Sequence, residues 1–374
     1  MKNASMVGRV GFIGGRGFFS NYGGVENAIR ETCLELSKKN IDIDIVVYGY
    51  RDTNDIIFQL PDNITTIMAP HCLYRQLGQS ALIFYNTLHA IFISRPSVIV
   101  IFASGPCIFA PLFRLSGIRV VCSLRAIDSQ RDKWDFLSRH ILRVGEYFAW
   151  RFSNVFTVNS KDMVRYFSKK RSDSKFIPNG CRVLKGEETD LTKAFRNRPY
   201  FLFAARLDPV KRLHLLLQAH HNLEPENRPI LVVAGGNTKD IAYEAELKRY
   251  AGSDVIFVGH IAQAQLETLI QRCVAFVMPS ILEGMSNSLL SAMINGRPVV
   301  VANIDANSDV VSNPIAEFEA DNINSLMAKL TAVATDPDYR NELGEYLRER
   351  ALTNYTWEAT SLEFLKAIYE ARGE

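Results

Sequence analysis

Residues 275–302, AFVMPSILEGMSNSLLSAMINGRPVVVA, place a single acid, Glu283, between a strand and a helix. The apolar run at 275–278 reads as a buried strand and Pro279 ends it. Ser280 to Gly284 turn into a helix expected from about Met285 to Asn295, Gly296 stops that helix, and Pro298 opens the next strand. A helix that starts just past a parallel strand points its free N–H groups and positive dipole end at the C-terminal edge of the sheet, where anions bind. The backbone amides of Met285, Ser286 and Asn287 are the expected donors, with Gly284 leaving room for a ligand. A carboxylate in that place repels phosphate, so the expected partner of Glu283 is a row of hydroxyls, as on a sugar. The simpler alternative is an acid that only complements the helix dipole.

A second group is the glycine-rich run GGRGFFSNYGGVE at 14–26. Gly14, Gly15, Gly23 and Gly24 keep the first β-to-α loop free of side-chain bulk, so backbone can approach a phosphate or a sugar closely; an ordinary turn is the alternative. Gly11, Gly14 and Gly17 also fit a GxxGxxG dinucleotide spacing. The second strand ends in VVYGY, however, without the acid that holds a cofactor ribose. Metal ligands are not expected. Asp42 and Asp44 alternate on a strand, Asp336 and Asp338 fall in a turn, and His220 with His221 lack the i, i+4 spacing of a helical pair.

These groups need a scaffold of alternating strands and helices. The first half supplies VGRVGFIGG, IDIDIVVYGY, VIVIFAS and RVVCSLR as strands, with helices at 26–39 and about 80–93 between them. The segment KFIPNGCRVLKGEETD then loses periodicity and reads as a connection. From Tyr200 a second set follows: YFLFAAR, a helix at 211–222, ILVVAGG, a helix at 241–250, VIFVG, a helix at 264–272, and the segment already described. The 374 residues, 47% hydrophobic and 22% charged, can bury two cores. We expect one domain over 1–178, a second over 179–356, and a final helix at 357–374 that crosses back to the first.

The start at Met1 shows no signal-peptide pattern, and the most apolar stretch, 81–102, is broken by His89, Arg95 and Pro96, so a cytoplasmic protein is expected. The six cysteines show no CxxC spacing and read as reduced and buried. Net charge is +3, yet 125–175 holds twelve Lys or Arg against six Asp or Glu, with Trp134, Phe136, Tyr147, Phe148 and Trp150 among them. That composition suits an anionic membrane surface or a diphosphate-linked acceptor, or else a solvated helix face. No nucleic-acid-binding motif accompanies the charge, so nucleic acid is not expected as a partner.

The segment PSxxEGMxxSLLxAMxxGxPVV resembles the donor-site segment of glycosyltransferase family 4 enzymes of the GT-B fold. Similar pieces occur in family order: GGRGFFSNYGGVE, GPCIFAPLFRLSGIRVV, RDKW, FIPNG, LFAARLDPVKRL and VVAGG. The resemblance implies two Rossmann-like doubly wound domains facing each other across a cleft, with the nucleotide-sugar donor held mainly by the second. RDKW and YGGVE resemble in particular the bacterial polysaccharide subgroup that includes rhamnosyltransferases.

Transfer from a nucleotide sugar releases a diphosphate, which needs cations or aligned N–H donors. Arg206 and Lys211, in ARLDPVK, resemble the family's paired basic residues for this task, in place of a metal. Asp128 and Arg131 match the acceptor side. Two positions depart from the family pattern. Arg125, in LRAIDSQRDKW, stands where relatives commonly carry a histidine near the sugar's outer hydroxyl; an arginine there acts by charge or hydrogen-bond donation. Ser291 stands at the second of two glutamate positions eight residues apart, the one that holds ribose hydroxyls. A dTDP-6-deoxysugar donor, such as dTDP-rhamnose, needs neither lost contact. The resemblance therefore implies a retaining transferase that uses a nucleotide sugar, no cofactor, and a lipid-linked glycan acceptor for O-antigen, capsule or exopolysaccharide, peripheral at the inner face of the cytoplasmic membrane. The alternative is a degenerate relative that holds a sugar nucleotide or a partner without catalysis.

Overall fold

The computed structural model describes residues 8–20, 23–39, 41–50, 59–130, 135–183, 185–186, 188–236 and 241–374, with 71–78 and 241 described by backbone alone. The chain divides into two units, Met1–Gly180 with Trp357–Glu374, and Cys181–Thr356. The first division falls two residues beyond the expected boundary.

The first unit runs β1 (Gly8–Ile13), α1 (Gly24–Ser37), β2 (Ile43–Tyr50), β3 (Ile64–Ala69), α2 (His71–His89), β4 (Val98–Phe102), α3 (Ala110–Leu115), β5 (Arg119–Leu124), α4 (Phe136–Phe152), β6 (Val155–Val158), α5 (Lys161–Ser168) and β7 (Lys175–Phe176). The second runs α6 (Asp190–Lys193), β8 (Tyr200–Ala204), α7 (Leu213–His221), β9 (Ile230–Ala234), α8 (Ile241–Tyr250), β10 (Val255–Gly259), α9 (Gln263–Arg272), β11 (Ala275–Met278), α10 (Asn287–Ile294), β12 (Val299–Ala302), α11 (Asp305–Val311), β13 (Glu317–Phe318), α12 (Ile323–Thr335) and α13 (Pro337–Asn354). The last helix, α14 (Trp357–Arg372), belongs to the first unit.

Both sheets are parallel, in the orders β3-β2-β1-β4-β5-β6-β7 and β10-β9-β8-β11-β12-β13. Each unit lays its first strand centrally, builds outward in one direction, then returns beside that strand and builds the other way. The reversal leaves a crevice between the loops after β1 and β4 in the first unit, and after β8 and β11 in the second; ligands of open α/β sheets bind at such a switch point. Parallel strands covered on both faces must be apolar throughout, which is why FLF at 201–203, VVV at 299–301 and VIVIF at 98–102 are buried along their length.

In the first unit one face of the sheet packs on α1 and α14, where Phe12, Ile29, Phe102, Phe364 and Ile368 interlock; α2 to α5 cover the other through Ile83, Phe113, Ala149 and Phe167. A Cβ on Gly180 would lie 2.5 Å from the Trp357 backbone, so glycine there lets the start of α14 dock. In the second unit Phe203, Leu216, Val233, Val277 and Leu330 form the core.

Four elements differ most from expectation. Strand β3 was not anticipated, because ITTIMA is short and only its two end residues are buried. Helix α2 starts earlier than expected, and a π turn over Ala90–Ser94 continues it until Arg95 takes a left-handed φ of 42° before Pro96. The helices expected from Lys211 and from Met285 begin two residues later, at Leu213 and Asn287. Both shifts matter for the site.

Candidate active site

In the second unit the chain leaves β8 at Ala204 and enters a short 3-10 turn, Pro209–Lys211. Asp208 caps that turn, its Oδ1 accepting the Val210 N–H at 3.2 Å, while its carbonyl accepts the Lys211 N–H at 2.8 Å. Arg212 then adopts φ 52°, ψ 32°, and its guanidinium pairs with Asp321 at 2.8 Å. This kink holds Lys211 outside α7. After β11, Ser280 is fully buried, and the Ile281 N–H donates to the Val210 carbonyl at 3.0 Å. One backbone hydrogen bond thus splices the two loops of the switch point.

That splice joins two residues the sequence had assigned to separate tasks: Lys211 Nζ lies 2.5 Å from Glu283 Oε1, with side chains only 15% and 11% exposed. At contact distance the attraction is of order 4 kcal/mol in a medium of intermediate dielectric, but desolvating both ions offsets most of it. The pair is therefore exchangeable. A polyanion brought to Lys211 would carry more negative charge than the carboxylate and could displace it, leaving Glu283 free to accept hydrogen bonds. Arg206 is exposed, and among the described residues its side chain has no ion-pair or hydrogen-bond partner.

The helix end beside them is built by Ser286, whose Oγ accepts the Leu289 N–H at 3.3 Å as the cap of α10. Gly284 and Met285 lie in the loop before the cap, Met285 buried, and Asn287 opens the helix. Ser291 sits in the second turn, half-buried, and its carbonyl accepts Asn295 Nδ2 at 2.8 Å. Sequence reasoning passed over Ser280, whose fully buried Oγ has no hydrogen-bond partner among the described residues.

In the first unit Gly14 has φ +146°, and a Cβ there would sit 2.2 Å from the Phe102 carbonyl oxygen, so only glycine lets β1 leave the sheet at this point. Gly23 caps α1 and Gly24 opens it. The loop closes around Glu26, a buried acid in the first turn, which accepts the Arg16 N–H at 3.0 Å; Cβ positions on Gly15 and Gly23 would lie 3.0 and 3.4 Å from its carboxylate. Glu26, quoted in the motif but given no role from sequence, puts a buried carboxylate in this loop, which would repel a phosphate.

Arg125 is buried at the end of β5. Its Nη1 donates to Asn179 Oδ1 at 2.9 Å, its carbon centre lies 4.8 and 5.2 Å from the Phe102 and Phe364 ring centres, and Nε and Nη2 have no hydrogen-bond partner among the described residues. Burial pulls its pKa down to about 9, which leaves it charged at neutral pH. Asp128 follows in a 3-10 turn and accepts from Ser104 Oγ at 3.3 Å. Arg131 lies outside the described residues.

Behind Asp128 the buried Glu146 accepts the Ser129 N–H at 2.9 Å and Ser129 Oγ at 2.7 Å. Burial outweighs these bonds and raises its pKa. A carboxyl raised in the folded state binds its proton more tightly there than in the unfolded chain, so folding stability falls as pH rises from the ordinary glutamate range through the raised value. Glu146→Gln is expected to flatten that slope, and urea unfolding at pH 4, 6 and 8 checks it; an unchanged slope removes Glu146 as its source.

Comparison with known proteins places the chain in a family. The family model described as "Glycosyltransferase Family 4" matches residues 22–183, and the one described as "Glycosyl transferases group 1" matches 187–350. An Escherichia coli UDP-Gal:alpha-D-GlcNAc-diphosphoundecaprenol alpha-1,3-galactosyltransferase is 26% identical over 194 residues, 48% of this chain and 49% of its own length. O-antigen chain mannosyltransferase B of Escherichia coli is 25% identical over 175 residues, 45% of each chain. The chain thus spans about half the length of these curated relatives. Sucrose-phosphate synthase from Thermosynechococcus elongatus superposes with a TM-score of 0.76 at 17% identity, over 98% of this chain and 99% of that one. Anabaena HepE in complex with UDP-glucose gives 0.76 at 15% identity, over 97% and 99%. These structural likenesses give the fold, GT-B. With one family segment laid along each α/β unit, the chain belongs to glycosyltransferase family 4.

Proposed function

We propose that this protein is a retaining glycosyltransferase that moves a sugar from a nucleotide-sugar donor to a lipid-linked oligosaccharide in bacterial surface polysaccharide synthesis. The observation that carries the reading is the Ile281-to-Val210 splice, which sets the Lys211–Glu283 pair at the switch point of a parallel sheet. Arg206 and Lys211 take the charge of the departing diphosphate, the task a metal performs elsewhere, and no metal or cofactor enters the scheme. Glu283 holds donor hydroxyls once Lys211 turns to phosphate. Positive charge develops at the anomeric carbon as the bond to phosphate breaks; the phosphate oxygen released on the same face takes the acceptor hydroxyl proton as the new bond forms there.

The proposed donor is a dTDP-6-deoxyhexose, dTDP-rhamnose foremost. Ser291 presents a short hydroxyl where a longer acid would be needed to reach a ribose, and Arg125 is covered by two phenyl rings, which suits a sugar that asks for no contact from it. Released nucleotide from a panel of dTDP-rhamnose and the common UDP and GDP hexoses, with a membrane lipid extract as acceptor source, tests both levels. Release from dTDP-rhamnose that disappears in Glu283→Ala supports the whole reading. Use of UDP or GDP hexoses alone overturns the donor, and nucleotide binding without release overturns transfer in favour of a binding module.

Attachment to an anionic membrane surface is proposed for the first unit. Residues 63–124 contain four arginines and no Asp or Glu, and Phe92, Ile93 and Leu115 expose 66%, 71% and 84% of their surface there. Scattered exposed leucines are ordinary, but three in an acid-free run favour an anionic, partly apolar partner. Among the described residues no helix is long and apolar enough to cross a membrane. Flotation with vesicles rich in anionic lipid is expected to carry the protein, and Phe92→Ser with Leu115→Ser to reduce that binding about ten-fold. Equal flotation of parent and variant would reject this surface.

A further inference from the structure

Helices α4 and α5 enclose a groove of about 560 Å³ within the first unit. Arg139, Arg143, Tyr147 and Trp150 line it from α4, spaced by three or four residues along one helical face, with Tyr166 and Lys170 facing them from the α5 side. From Arg139 to Trp150 a helix rises about 16 Å, enough to span a diphosphate and the group attached to it.

Both ends of the groove are fixed by other residues. At the sheet edge Glu146 accepts from Ser129 N–H and Oγ, and from Ser104 Oγ at 3.5 Å, binding the loop after β5 to α4. At the far end Arg171 donates to the carbonyls of Trp150, Ser153 and Asn154, at 2.9, 3.1 and 2.9 Å, tying the C-terminus of α4 to the end of α5. The described acids of this region are engaged: Asp135 caps α4 through the Ser138 N–H at 2.9 Å, Asp162 pairs with Arg165 at 3.8 Å, and Asp173 pairs with Arg171 at 2.7 Å. Glu146, among the described residues the one carboxylate lining the groove, is turned to its three donors. Arg143 is exposed and has no ion-pair partner among the described residues. Lys170 makes its direct contacts with aromatic groups, its Nζ 3.2 Å from Tyr166 Oη and 4.3 Å from that ring's centre, and interacts with the Glu146 carboxylate only through space.

The two cations therefore face a preformed, aromatic-walled space in which the described carboxylate, Glu146, is held by three other donors and makes no ion pair with either of them. A bare phosphate-binding patch would not need Trp150 and Tyr147, which stand edge to face with ring centres 5.0 Å apart. An apolar binding site would not need Arg143 and Lys170. We infer that this groove binds a phosphoryl group attached to an apolar or sugar moiety, the diphosphate of the lipid-linked acceptor, with the guanidinium and ammonium on its oxygens and the rings along the attached group. The name of the ligand rests on the function proposed above; the site does not.

The test uses the full chain carrying Arg206→Ala and Lys211→Ala, which silences the proposed donor-diphosphate site, and titrates inorganic pyrophosphate calorimetrically at low salt. One binding event is expected, weakened about ten-fold by adding Arg143→Ala, about ten-fold by Lys170→Ala, and further by both together. Both side chains are exposed, so a thermal melt matching the parent confirms that folding is intact. Binding unaffected by either substitution overturns the inference. So does an absence of pyrophosphate binding in a chain that still sediments with anionic vesicles through Arg143 and Lys170, since that describes a flat lipid contact. Neither result bears on donor turnover, whose failure would reject the transferase and leave the groove measurement standing.

Discussion

Lys211→Ala is expected to lower turnover about 10³-fold at saturating donor, more than Arg206→Ala at about 10². Removing one preorganised donor from developing negative charge costs 10²–10³ in comparable sites. Arg206→Ala removes a cation that stands alone and leaves its surroundings unchanged. Lys211→Ala does more, because it strips the partner from a carboxylate that is 11% exposed and lies 2.5 Å away. The bared Glu283 then repels the diphosphate that Lys211 would have held. The two effects separate in a double-mutant cycle. Glu283→Gln on the Lys211→Ala background removes the repulsion and is expected to restore nucleoside diphosphate binding about ten-fold while leaving turnover low. The stability cost of Lys211→Ala is expected at about 1–3 kcal/mol, below that of breaking a fully buried pair. Nucleotide release and nucleoside diphosphate titration of the four proteins decide it. Rates equal to the parent would remove Lys211 and Arg206 from the chemistry, and no gain from Glu283→Gln would remove the exchange of partners.

The residues of this pair were legible in the sequence, but their pairing was not. The apolar runs at 201–203 and 275–278 identify buried parallel strands, and the order of elements is enough to predict two doubly wound units. Seventy-two positions separate Lys211 from Glu283, and nothing between them says that β11 returns to lie beside β8. Strand order is a tertiary property, and the ion pair follows from it. The shorter helices have a local cause. Arg212 takes a left-handed φ that arginine rarely adopts, so LDPVKRL reads as a helix start and ends as a turn, kink and helix. Ser286 was readable as a cap, with α10 beginning one residue after it, but the glycine and methionine before it extended the apparent helix. Arg125 shows the opposite limit. The resemblance supplied a position near a sugar, whereas the second ring over its guanidinium, Phe364, comes from α14, more than two hundred residues away in the chain.

Gly235→Ala is expected to damage the second unit and its neighbour Gly236→Ala to leave it nearly unchanged, although both belong to the same VVAGG motif. A Cβ on Gly235 would lie 1.9 Å from the Ala205 carbonyl oxygen, a backbone atom in the loop that leads directly to Arg206. That loop is held at this point by the Ala205 N–H on the Ala234 carbonyl at 3.1 Å, and Gly235 itself donates to the Gly259 carbonyl at 2.8 Å, so neither side can yield without breaking a sheet-edge hydrogen bond. A Cβ on Gly236 would meet nothing closer than the His260 nitrogen at 3.6 Å, an ordinary contact. Forced overpacking against backbone costs about 1–3 kcal/mol, with the loss of one buried hydrogen bond adding about 1 kcal/mol. For a unit of this size that amounts to a fall of roughly 5–15 °C in melting temperature. The displaced loop carries Arg206 away from the diphosphate, so nucleoside diphosphate affinity is expected to fall at temperatures where the variant is still folded, which a pure stability defect would not produce. Calorimetric melts of the two variants, with nucleotide titration at 20 °C, make the comparison. Equal melts for Gly235→Ala and Gly236→Ala would mean that Ala205 moves aside freely, and the glycine would then have no part in placing Arg206.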